Sequence, residues 1–228
     1  MSFFSLRQLD RAPVTIALLI AIALIYLGQL AIPGVLENAG VLYGPAVAQG
    51  QWWRVLTSAF LHGGLIHVGF NGYLLFALGP ELERGIGSRR FAILYFGALF
   101  GASLTVMLLG WRQPTLGASG AVLGIASAMS MILWSRGVNL VQTPTFGLVL
   151  LNLFLPLLVP GISFLGHLGG VVTGCILALV LLGPQSIRRN QKYKEPPSLQ
   201  IAVIVVLVLA VLSVVAAQLA LTLSLIHI

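Results

Sequence analysis

"GASGAVLGIASAMSMILW", residues 117–134, contains no charged side chain. As a helix rising ~1.5 Å per residue, it spans nearly all of the ~30 Å hydrocarbon core of a bilayer. Gly120, Gly124 and Ala128 recur at four-residue spacing, the pattern that lets membrane helices approach closely. Close packing accounts for the glycines. It does not by itself account for Ser119, a hydroxyl set between glycines at the mouth of the run.

The rest of the chain repeats the apolar theme. Of 228 residues, 58% are hydrophobic and 7% charged, with a mean hydropathy of +1.03. No soluble domain of this length hides so much apolar surface, so the bilayer is the solvent. Apolar segments fall at 13–32, 64–79, 91–110, 117–134, 144–159, 163–182 and 199–225, the second and fifth being short. Backbone polar groups in lipid must be satisfied within the segment, so these are expected to be helices, and no alternating pattern suggests a barrel. The expected fold is all-α and polytopic. A polar, basic stretch, "GPQSIRRNQKYKEPPS" (183–198), separates six helices from a seventh that carries no candidate for chemistry. The expected division is a six-helix core at 1–186, a basic linker at 187–198 and an additional helix at 199–228. The first apolar run is too long for a signal-peptide core. Cys175, the one cysteine, lies inside an apolar run, which excludes a disulfide framework and a thiolate metal cluster. His227, in the terminal "LSLIHI", is given no role.

The net charge of +7 reflects topology rather than nucleic-acid binding, because the basic residues sit in short loops. Arg7, Arg11, Arg84, Arg89, Arg90, Arg136, Arg188, Arg189, Lys192 and Lys194 fall on one side, and only Arg54 and Arg112 on the other. This asymmetry sets the amino terminus in the cytoplasm. The loop from Pro33 to Gly63 then lies outside. Within it, "QWWRVLTSAFLH" (51–62) places Trp52, Trp53 and Phe60 at headgroup level, either on a short interfacial helix or in an ordinary loop.

All five acids, Asp10, Glu37, Glu81, Glu83 and Glu195, lie in loops or at helix ends. Paired carboxylates for an aspartyl protease, a His-Glu-x-x-His zinc site and the buried acids of a proton-coupled transporter are therefore missing. The remaining polar groups are His62, His67 and Asn71 in "FLHGGLIHVGFNGYLL" (60–75), Ser119, and His167 in "GHLGGVVTG" (166–174). With the topology set by charge, the second, fourth and sixth helices all enter from outside. His67, Asn71, Ser119 and His167 then lie in their first turns, at one depth beneath the outer face. Any one membrane histidine taken singly fits a packing role equally well; the convergence is what points to chemistry. A serine nucleophile needs an adjacent base, and imidazole is the base at that depth. His67 and Asn71, at i and i+4, share a helix face and can donate to an oxyanion, as can backbone amides around Ser119. His167, Gly170 and Gly174 also share a face. If that row meets the Gly120 row, Ser119 and His167 are carried on touching helices.

At these residues the sequence resembles the rhomboid family of intramembrane serine proteases. The resemblance covers residues 10–185. It rests on Trp53-Arg54, on H-x4-H-x3-N at His62, His67 and Asn71, on G-x-S-G at Gly117 to Gly120, and on G-H-x2-G-x3-G from Gly166 to Gly174. It implies a six-helix rhomboid-like bundle plus one C-terminal helix, with Ser119 as nucleophile and His167 as general base. His67 and Asn71 would contribute to the oxyanion hole and Gly117 would leave room for it. His62, Arg54, Gly170 and Gly174 would be structural supports. The implied activity is an endopeptidase, without cofactor or metal, acting on transmembrane protein substrates in the bilayer, and the implied location is the inner membrane of a bacterium. Many relatives carry an aromatic residue four positions after the serine; here it is Leu123, so aliphatic packing is expected to hold His167. Access past the fifth helix, loosened by Pro144 and Pro156, is a further family-based expectation. The rivals are a non-catalytic adaptor on the same fold, disfavoured by the intact Ser119 and His167, and a small-solute channel, disfavoured because the intramembrane polar groups all lie toward one side. Substrate identity and oligomeric state are not legible.

Overall fold

A computed structural model describes residues 11–182 and 198–226, so most of the expected linker lies outside the described residues. The elements are helical: α1 (Pro13–Ala31), α2 (Val35–Gly40), α3 (Gly44–Ala48), α4 (Arg54–Thr57), α5 (Leu65–Ile86), α6 (Ser88–Leu109), α7 (Ser119–Ser135), α8 (Pro144–Phe154), α9 (Phe164–Leu182) and α10 (Ser198–Ile226). Among the described residues, the one extended pairing is an isolated bridge between Leu42 and Thr115. The all-α polytopic fold is as expected. Helices α1, α6, α9 and α10 are each long and apolar enough to cross a membrane, and α5 joins them when counted with the Arg54–Phe60 segment, bent from it by 93°.

The lengths differ from expectation in one instructive way. The second span, expected to be short and to stop at residue 79, runs for 22 residues to Ile86, straight through Pro80. The sequence "GPELER" reads as a stop, yet Glu83 is completely buried there. Its Oε1 accepts from the Val14 N–H at 3.0 Å, and its Oε2 accepts from the Thr15 N–H and Oγ1–H, both at 2.8 Å. The first N–H groups of a helix have no partner within it and carry partial positive charge. A carboxylate from α5 thus caps α1, which has no side-chain cap of its own. The fifth span, α8, is short as expected, with 11 residues, and α7 is also short, with 17.

At the centre, α6, α7 and α9 pack against one another, burying Leu94, Tyr95, Leu99, Val122, Ile125 and Leu177. The two small-residue rows do meet. A Cβ on Gly120 would lie 3.0 Å from the Gly166 carbonyl and one on Gly124 would lie 3.0 Å from that of Gly170, while a Cβ on Gly170 would run into the backbone of Gly120. At that separation the Ser127 hydroxyl donates across to the Val171 carbonyl at 3.1 Å. The terminal helix α10 lies against α6, where Ala216 and Ala217 pack with Val106 and Met107 and the Ser213 Oγ–H donates to the Phe100 carbonyl at 3.3 Å.

The first loop contains the short helices α2, α3 and α4, so helical structure replaces the ordinary loop that the sequence left open. Arg54 is its buried hub: the guanidinium donates to the Asn38 carbonyl at 2.6 Å, the Val41 carbonyl at 2.8 Å and Gln51 Oε1 at 2.7 Å.

Candidate active site

Ser119 opens α7. The first amide of that helix to donate into it is that of Val122, to the Ala118 carbonyl at 3.0 Å, so the amides of Ser119, Gly120 and Ala121 precede the ladder. His167, in the first turn of α9, is 3% exposed. The approach of α7 and α9 through their glycines brings His167 Nε2 to 2.9 Å from Ser119 Oγ. On its other side, His167 Nδ1 lies 2.8 Å from the Asn152 carbonyl of α8. A carbonyl only accepts, so Nδ1 carries the ring proton and Nε2 presents its lone pair to the serine hydroxyl.

His67 is pinned the opposite way. The Gly63 N–H donates to His67 Nδ1 at 3.3 Å, which makes Nδ1 the acceptor and leaves the proton on Nε2. That nitrogen faces Gly117, where a Cβ would sit 2.7 Å from both Nε2 and Cε1. Gly117 also has φ +117°, a left-handed conformation that side chains rarely adopt. Its N–H is spent on the Ser58 carbonyl at 2.9 Å, so Gly117 contributes room rather than a donor. Asn71, 2% exposed, gives one amide hydrogen to the His67 carbonyl at 2.9 Å.

His67, Asn71, Gly117, Ser119 and His167 line one cavity of about 980 Å³, with no carboxylate among the described lining residues. The structure therefore brings together the five residues expected to do chemistry. The four expected supports stand apart from it. Arg54 organises the first loop, and Gly170 and Gly174 form the α7–α9 contact. His62, 2% exposed, packs edge-on against the His67 ring at 5.0 Å between centroids. Leu123, at the position where many relatives carry an aromatic residue, is 1% exposed.

Two residues escaped the sequence reading. Gln29 of α1 closes a pair of hydrogen bonds on the backbone of His62: its Nε2 donates to the His62 carbonyl at 3.0 Å and its Oε1 accepts from the His62 N–H at 2.9 Å. Its remaining hydrogen goes to Glu37 Oε1 at 2.8 Å, a bond that holds this carboxyl below its ordinary pKa. A polar residue inside the first apolar run was the available signal. The other is Asn152, whose part is played by its backbone, which leaves no mark in residue type.

Fold and site together define a polytopic membrane bundle with a serine–histidine pair in an internal cavity. Residues 49–184 match the family model described as Rhomboid domain. The chain belongs to the rhomboid family. It is 33% identical over 143 residues to Rhomboid protease GluP of Bacillus subtilis (strain 168), covering 61% of this chain and 28% of that protein. It is 36% identical over 153 residues to RHOMBOID-like protein 4 of Arabidopsis thaliana, covering 64% and 39%. It is 30% identical over 142 residues to Putative rhomboid protease YdcA of Bacillus subtilis (strain 168), covering 60% and 71%. The matched region spans less than half the length of the first two of these relatives, 28% and 39%. The chain is an integral, multi-pass membrane protein.

Proposed function

We propose that the chain is an intramembrane serine endopeptidase that cleaves peptide bonds in or near transmembrane segments of other membrane proteins. The observation that carries this reading is the 2.9 Å approach of His167 Nε2 to Ser119 Oγ on the wall of the cavity. Relatives named as proteases, among them GluP, support it.

In this mechanism His167 Nε2 takes the hydroxyl proton as Ser119 Oγ attacks the scissile carbonyl. The carbonyl oxygen becomes an oxyanion that accepts from His67 Nε2–H, Asn71 Nδ2–H and the amides at the start of α7. The imidazolium returns its proton to the leaving amine, and the C–N bond breaks. Water, deprotonated by the same nitrogen, then attacks the acyl-enzyme ester, and Ser119 departs with the proton. A substrate helix must unwind locally, because its hydrogen bonds otherwise shield the carbonyl.

A fluorophosphonate probe reacts with serines activated by a neighbouring base. The purified protein is expected to label stoichiometrically, and Ser119→Ala not at all. Equal labelling of the variant would dismiss the reading.

The same reading places the six-helix core at residues 1–186, joined through 187–198 to α10. It also places the protein in a bacterial inner membrane with its amino terminus inside. The ten-to-two division of basic residues supports the orientation. In a Cys175→Ser background, Gln113→Cys is expected to react with a membrane-impermeant thiol reagent added to intact cells, and Arg136→Cys only after lysis. The reverse order would invert the topology.

A further inference from the structure

The histidine of a Ser–His pair works only in one tautomer, and in many serine hydrolases a carboxylate fixes it. No carboxylate among the described residues lines this cavity. The Asn152 carbonyl, 2.8 Å from His167 Nδ1, occupies the carboxylate's place. In an unbroken helix that carbonyl would be taken by the N–H four residues on. Here the residue four on is Pro156, which has no N–H. α8 accordingly ends at Phe154 and passes into a single 3₁₀ turn, Leu155–Leu157.

We infer that Pro156 is a positioning residue for the general base: by withholding an N–H, it keeps the Asn152 carbonyl open to His167 Nδ1–H. This rests on the Ser119–His167 reading above and deepens it. The carbonyl also belongs to the last turn of α8, where the helix carries partial negative charge. That charge favours the imidazolium formed as His167 takes the serine proton. The role expected of Pro156 from family resemblance, loosening α8 for substrate access, is a separate matter and is not needed for this one.

Pro156→Ala restores an N–H that competes for the Asn152 carbonyl. The expected result is a fall in kcat of about tenfold with KM for a transmembrane substrate nearly unchanged. In ¹⁵N spectra of the imidazole, the His167 signals shift from the Nδ1–H tautomer toward a mixture. Should Pro156→Ala fail to accumulate, a backbone ester serves instead. An α-hydroxy acid at 153 turns the Asn152 carbonyl into a weaker acceptor, whereas the same change at 151 removes a comparable helix hydrogen bond and spares it. Lower kcat for the ester at 153 than for that at 151 supports the inference. Wild-type kcat and tautomer in Pro156→Ala, or equal effects of the two esters, would each overturn it. The distinction from the underlying reading is plain: if Ser119→Ala stays active, the serine mechanism itself fails, whereas an inactive Ser119→Ala beside an unaffected Pro156→Ala removes only the role of Pro156.

Discussion

Ser119→Ala and His167→Ala are each expected to lower cleavage of a transmembrane model substrate by on the order of 10⁴–10⁶-fold, with the double variant little worse than either. The reason lies in the shared hydrogen bond of 2.9 Å. The histidine acts by taking the serine's proton, so losing either partner removes the same step and the second loss has little left to remove. Additive losses would mean that the two side chains act in separate steps. Ser119 is only partly buried at a helix start, so its truncation should leave the fold intact. His167→Ala opens space beside Asn152, so thermal unfolding in detergent is the necessary companion measurement. Substantial cleavage by folded Ser119→Ala would end the serine-protease interpretation.

The second large effect is expected at the oxyanion donors. Loss of one such donor typically costs ~10²–10³ in turnover, about 2.7–4 kcal/mol of barrier. For Asn71→Ala the expected loss is about 10²-fold, near the lower end, because His67 and the amides of α7 remain. The loss should appear in kcat, with KM little changed, since the oxygen carries its full charge only in the transition state. Gly117→Ala is expected to do comparable damage by another route. Its methyl group would fall 2.7 Å from the His67 ring, on a backbone at φ +117°. The ring must move, and its N–H moves with it. A change confined to KM in Asn71→Ala would reduce Asn71 to a packing or substrate-binding residue.

What could be read from the sequence was whatever depends on residue type and helical depth. Ser119, His167, His67 and Asn71 each stand in the first turns of an apolar run, and the distribution of arginines was enough to bring those turns to one side. The glycine rows gave the α7–α9 contact for the same reason, since a missing side chain is visible as a letter. What stayed hidden acts through the backbone or across long sequence separations. Glu83 was placed correctly near a helix end, but its bonds to Val14 and Thr15 lie 69 and 68 residues away. It lies on the part of α5 that continues past Pro80, a residue that reads as a terminator. Asn152 contributes a carbonyl, which every residue has. Pro156 was legible as an irregularity, and only the position of His167 shows what the irregularity exposes.

The Gln29 clasp bears on where the working unit begins. The family match starts at residue 49, beyond the end of α1 at Ala31. Yet the amide that grips both backbone groups of His62 comes from α1, and His62 in turn abuts the ring of His67. A fragment trimmed to the matched boundaries would keep every residue of the proposed chemistry and lose the strut that sets the pitch of the peptide leading into α5. Modularity in this protein is thus a property of composition rather than of mechanics. The segment outside the family match is the one that clasps the peptide beside the proposed catalytic cavity.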